Sequence, residues 1–259
     1  MPYTTIIYTK SEHVAHITLN RPEVNNAINQ RLAQELDDAC NRIIQDDTVY
    51  VAIITGAGDR AFCAGSELEQ LPQNGNIATM SPVKRYSPAT AVADIDRPVI
   101  AAINGDALGE GLELALSCDI RLTTPKAQFG LTQVAQGLMP MEGGTQQLPR
   151  IVGKGKALEL ILTAETINAE QAFEIGLVNR VVPQENLAAE VEALAKTMAS
   201  KGPTALRYIK EAVNKGLDLT LEQGLRLEAD LYFLLHTTAD RTEGIKAFLQ
   251  KRPPRFKGK

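Results

Sequence analysis

Two short apolar runs, "YVAIITG" at 50–56 and "PVIAAING" at 98–105, each close on a glycine, and each leads through a glycine-rich turn into an apolar helix. Neither alternates apolar with polar residues, as a strand with one wet face does. Continuous apolar runs of this length suit parallel strands covered on both faces. A third run, "DIRLTT" at 119–124, has the same look. Parallel neighbours cannot be joined by a hairpin, so the chain must return through a crossover each time. The expectation is an α/β fold. Ahead of these runs, residues 3–9 and 13–19 alternate in strand fashion about a turn at Lys10–Glu12. A Pro/Asn-rich link, "NRPEVNNAIN", then precedes a helix over 29–45 with Leu32, Leu36, Ala39 and Ile43 on one face. The Gly/Pro/Ser-punctuated segment 70–90 reads as a mobile surface region.

From 143 onward helical periodicity dominates, over 143–163, 169–175, 184–199, 203–216, 220–236 and 240–250, with a strand-like "GLVNRVV" at 176–182. The chain divides into an α/β core over 1–199 and a helical region over 200–259. Helices with exposed apolar stripes at the end of a chain pack well on a second copy, which points to a homo-oligomer.

The 259 residues suffice for one large domain, and 44% hydrophobic with 22% charged residues is the balance of a folded soluble protein. A net charge of −4 gives no footprint for nucleic acid. The basic end, "KRPPRFKGK", reads as solvated, with phosphate contact as the alternative. No apolar run is long enough to span a bilayer, and the N-terminus enters a strand pattern without a signal segment. Cys40, Cys63 and Cys118 are odd in number and widely spaced, which fits a reducing cytoplasmic setting and no zinc motif. His13 and His16, three apart on a strand, point to opposite faces and read as structural; no metal site is expected.

Chemistry concentrates in "GAGDRAFCAGSELEQL" and "NGDALGEGLELAL". Each runs strand, glycine turn, helix start, and each exposes backbone N–H groups at the turn. Two readings stand: ordinary turns that need glycine for their geometry, or two donor sites that converge on an oxyanion. A donor in such a hole is worth roughly 3 kcal/mol toward the developing charge. The glycines do not match a dinucleotide fingerprint or a phosphate loop, and Ser66 lies outside a nucleophile elbow.

The motifs "ITLNRPEVNNAI", "AFCAGSELEQL", "INGDALGEGLELALSCDIRL", "AQFGLTQVAQGLMPMEGGTQQLPRIVG", "GLVNRVVP" and "AFLQKRPPRF" follow one another along the chain. In this order the sequence resembles the crotonase (enoyl-CoA hydratase/isomerase) superfamily from end to end. The resemblance implies a crotonase-like spiral of ββα units with a helical C-terminal trimerisation region, assembling as a trimer or a dimer of trimers. It implies an acyl-CoA thioester substrate, with coenzyme A as part of that substrate and no separate cofactor. The backbone N–H groups of Ser66 and Glu110 would form the oxyanion hole. Coenzyme A would meet the chain around Val24, Asn25 and Ala27, and around Ala61 and Ala64, with Phe248 and Lys251 reaching the nucleotide end from a neighbouring subunit. A basic residue often follows the "RP" step in the family; here Glu23 stands there, which leaves Lys251 and the basic tail to compensate.

Hydratases of this kind use two glutamates to activate water and protonate carbon. The first falls on Glu113. The second falls on Gln133, whose amide can orient a partner but cannot exchange a proton at neutral pH. Glu113 alone could carry the proton, or Glu142 could take the vacant role; it lies one position beyond Met141, where some relatives place a catalytic aspartate. The water-side carboxylate is retained, which favours hydration, dehydration or thioester hydrolysis over double-bond migration. Thioester hydrolysis, isomerisation and a catalytically reduced CoA-binding scaffold are the alternatives.

Overall fold

The computed structural model describes residues 2–67 and 87–259. Its strands are β1 (Ile6–Ser11), β2 (Val14–Leu19), β3 (Val51–Gly56), β4 (Ala61–Cys63), β5 (Val99–Ile103), β6 (Asp106–Leu108), β7 (Ile120–Thr123), β8 (Gln128–Gly130), β9 (Ile167–Asn168) and β10 (Arg180–Val181). Its helices are α1 (Gln30–Gln45), α2 (Pro88–Ala93), α3 (Glu110–Leu116), α4 (Gly144–Val152), α5 (Lys154–Thr163), α6 (Ala169–Glu174), α7 (Leu187–Ala199), α8 (Pro203–Gly216), α9 (Leu221–Leu235) and α10 (Ala239–Leu249).

The strands form two sheets, ordered β1-β2-β3-β5-β7-β10 and β4-β6-β8-β9. β1 and β2 are an antiparallel hairpin; from β2 to β10 every neighbour in the first sheet is parallel. Successive strand pairs β3–β4, β5–β6 and β7–β8 each place their first member in one sheet and their second in the other. Two of these pairs lead into α2 and α3, so the chain winds as a spiral of ββα turns. The two apolar runs and the stretch 119–124 are the adjacent parallel strands β3, β5 and β7. Both faces of this sheet are covered. Ala52 and Ile54 face the main core with Leu32, Leu36 and Ile43 of α1, whereas Val51 and Ile53 face Leu187, Val191 and Ala195 of α7. That two-sided burial is why β3 and β5 lack alternation.

Buried amides join the sheets. Asn104 accepts from Gly56 N–H at 3.0 Å and donates to Gly58 O at 2.9 Å. Asn26, fully buried, accepts from Arg21 N–H and donates to Ala57 O and Ala61 O at 3.0 and 2.9 Å. These side chains satisfy backbone groups where no ladder can run.

Several expectations change in detail. The hairpin turn sits at Glu12–His13, so His13 is not within a strand; it stacks on Tyr50 at 4.1 Å, while His16 pairs with Glu192 of α7 at 2.9 Å. The helical stretch 143–163 is two helices broken at Gly153, whose φ of +81° does not continue a helix. In "GLVNRVV" only Arg180–Val181 is strand. Of the segment 70–90, residues 70–86 lie outside the described residues, and Ser87 caps α2 through its side chain. The basic tail folds back: Arg252 makes a two-pronged pair with Glu243 at 2.6 and 2.9 Å, and the backbone N–H groups of Lys257 and Gly258 donate to Asp240. Among the described residues no helix is long and apolar enough to cross a membrane.

Candidate active site

The two glycine-rich turns meet. A Cβ on Gly111, in the first turn of α3, would lie 2.0 Å from Cys63 O at the end of β4, and one on Gly65 would lie 3.3 Å from Glu110 N. Only glycine lets the backbones approach this closely. Gly65, with φ of +92°, also needs the left-handed region that glycine favours. Ser66 forms a parallel bridge with Ile28: Ile28 N–H donates to Gly65 O at 2.7 Å and Glu67 N–H to Ile28 O at 3.1 Å. In such a bridge the flanking peptide groups make the bonds, so the Ser66 N–H is turned to the opposite side. The Ser66 hydroxyl donates to Glu110 Oε2, tying the two turns together through side chains as well.

One turn into α3 lies Glu113, 1% exposed. Its Oε1 accepts two backbone N–H groups, from Glu142 and Gly144, both at 2.8 Å. Its Oε2 accepts from Gln133 Nε2 at 2.9 Å. Burial pushes its pKa up to about 7; the Gly144 and Glu142 amides oppose that rise, and the nearby Glu110 and Glu142 carboxylates add to it. A carboxyl in this range can both take and return a proton near neutral pH.

Gln133 opens a short 3-10 turn, Gln133–Gln136, directly after β8, and its Oε1 is buried without a partner among the described residues. Glu142 stands just before α4. Its backbone holds Glu113, while its side chain accepts from the Ser87 hydroxyl at the start of α2. Met141, its neighbour, is exposed.

A family model described as enoyl-CoA hydratase/isomerase matches residues 9–259. The chain belongs to that family. It is 41% identical to a crotonyl-CoA hydratase of Syntrophomonas wolfei over 99% of both chains. It is 42% identical to a putative enoyl-CoA hydratase/isomerase, YngF, of Bacillus subtilis over 98% of both. Among solved structures, enoyl-CoA hydratase subunit I of Geobacillus kaustophilus is 38% identical and superposes with a TM-score of 0.94, covering all of both chains. The fold is thus the crotonase fold of the enoyl-CoA hydratase/isomerase family.

Of the residues singled out in the sequence, Ser66, Glu110, Glu113, Gln133 and Glu142 come together in this family's fold. The loop group also clusters: Ala64 N–H donates to Asn25 O at 3.0 Å and Ala27 N–H to Val24 O at 3.1 Å. A cavity of about 340 Å³ beside β4 is lined in part by Asn25 and Ala61, and also by Glu23, Asp59 and Arg60. Phe248, in the last turn of α10, and Lys251, just past it, are exposed, and among the described residues neither is hydrogen-bonded to Ser66, Glu110, Glu113, Gln133 or Glu142. Three neighbours of these residues were not singled out in the sequence: Arg60 at the cavity, Ser87 behind Glu142, and the Gly144 amide on Glu113. The last had a signal, since the Gly-Gly step at 143–144 permits close backbone approach.

Proposed function

We propose that the chain is an enoyl-CoA hydratase, adding water across the C2=C3 bond of an α,β-unsaturated acyl-CoA. The observation that carries this reading is the seating of Glu113: a buried carboxyl, two amides on one oxygen, and a pKa raised to about 7. The names of the relatives agree with it.

In the proposed mechanism the Ser66 and Glu110 N–H groups receive the thioester oxygen, a role their side chains do not limit. Glu113 takes a proton from water as its oxygen bonds to C3, and the π electrons move onto the thioester oxygen as an enolate. The enolate collapses, C2 takes a proton from Glu113, and the carboxylate is restored. The overall change is one water added, OH at C3 and H at C2.

Coenzyme A would lie along Val24, Asn25, Ala27, Ala61 and Ala64, near the cavity that Arg60 borders. Phe248 and Lys251 would act from a neighbouring subunit. That role requires assembly, and the exposed residues Ile209 and Val213 on α8, Leu217 just after it, and Leu221, Leu225 and Tyr232 on α9 would supply an apolar surface for a trimer or a dimer of trimers.

Product analysis with crotonyl-CoA tests the reading. A hydroxyacyl-CoA supports it; free acid with CoA thiol, a shifted double bond, or binding without turnover replaces it with a hydrolase, an isomerase or a scaffold. Gln133, in the second carboxylate's position, is the observation that favours the scaffold. Glu113→Gln should lower hydration by about 10²- to 10⁴-fold, and a variant that kept most of its turnover would remove Glu113 from the mechanism.

A further inference from the structure

We infer that Gln133 is a positioning residue that takes over the geometric half of the missing carboxylate's work: its Nε2 aims Glu113, and its Oε1 accepts the second hydrogen of the attacking water. This rests on the hydratase reading above. Glu113 Oε1 is saturated by the amides of Glu142 and Gly144, so only Oε2 has a lone pair left for chemistry. Gln133 Nε2 occupies the other lone pair of Oε2 at 2.9 Å, which fixes the direction of the reactive one. The carboxylate in turn fixes the amide, because Nε2 is the only end of a glutamine that donates. Gln133 Oε1 is thereby left as a buried acceptor with no partner among the described residues. A Cβ on Gly109 would come within 3.9 Å of the Gln133 amide, which places that amide beside the turn that carries the Glu110 N–H. A water between Glu113 Oε2 and Gln133 Oε1 would have one acceptor for each of its hydrogens, leaving an oxygen lone pair for C3.

The division of labour has a kinetic signature. Glu113 is then the only proton carrier, so one ionisation governs the reaction. The charged groups facing it among the described residues are Glu110 on its own helix and Glu142 ahead of α4; α2 brings no titratable side chain against it. The wild type should show kcat/KM falling only on the acid side, with a plateau above neutrality.

The test compares wild type, Gln133→Leu and Gln133→Glu on crotonyl-CoA, each with a full pH profile and circular dichroism. Gln133→Leu should lose about 10- to 100-fold in kcat, the scale of a hydrogen bond to a charged group, with KM changing less than about threefold. Its acid limb should move to higher pH, because the donor that favoured ionised Glu113 is gone. Gln133→Glu should recover much of the loss and turn the single limb into a bell, as a second proton carrier enters. A wild type that hydrates no enoyl-CoA overturns the hydratase reading and this role with it. An active wild type with a bell-shaped profile, or a Gln133→Leu enzyme with wild-type kcat and an unmoved limb, overturns the role of Gln133 alone.

Discussion

Glu113 is held in a state that the folded protein would avoid if stability were the only concern. Its pKa rises from 4.5 to about 7 on folding, so the native state binds more protons than the unfolded chain between those values. Stability from this group is therefore greatest below pH 4.5 and declines as pH rises toward 7. The decline is on the order of 3 kcal/mol, taking about 1.4 kcal/mol per pKa unit. Glu113→Gln removes the charge and keeps the shape; denaturant unfolding at pH 8 should find the variant more stable than wild type, even as hydration is lost. Gly144 constrains the same group from the other side. A Cβ there would lie 2.9 Å from Leu131 Cδ1 and Pro140 Cβ and 3.0 Å from Glu113 Oε1. Gly144→Ala should cost about 1–3 kcal/mol of stability and lower kcat by more than tenfold, as steady-state assays beside thermal melts would show.

At the scale of elements, the site depends on pieces too short to announce themselves. β4, β6 and β8 have three residues each, less than a strand-period pattern needs, yet with β9 they form the second sheet and set the two glycine turns against each other. The longer strands β3 and β5 were legible because burial on both faces leaves a nearly unbroken apolar run, whereas β7 carries Arg121 between Ile120 and Leu122. The candidate residues were legible through family motifs, and their partners were not: the amides on Glu113 and the Ser87 hydroxyl on Glu142 carry no side-chain signal at the position they serve. Ser87 works on two elements at once. It caps α2 by accepting from Thr90 N–H at 3.2 Å and donates to Glu142. Ser87→Ala should cost about 1 kcal/mol as a lost cap and remove the hydroxyl that donates to Glu142, visible as a lower urea midpoint together with reduced kcat.

At the scale of the whole molecule, α8 is fastened to the core by Lys210, which donates to Asp119 Oδ2 at 2.8 Å and to Arg97 O at 3.0 Å. The apolar stripes of α8 and α9 remain exposed on the single chain. Sedimentation should find a trimer or a dimer of trimers, and Leu225→Asp should shift the population toward monomer without loss of helix signal. The same overall wrapping bears on how the protein ages. Asn–Gly steps are chemically labile, because the glycine nitrogen can attack the side-chain amide carbon and expel ammonia. Asn104 and Gly105 form such a step in the middle of the fold. Asn104 is engaged at both ends of its amide, and a Cβ on Gly105 would lie 2.3 Å from Arg60 O, so neither residue can turn into the attacking geometry while the sheets stay joined. Conversion of Asn104 to aspartate should then track unfolding rather than time in storage, which makes that one amide a chemical record of how often each molecule has opened.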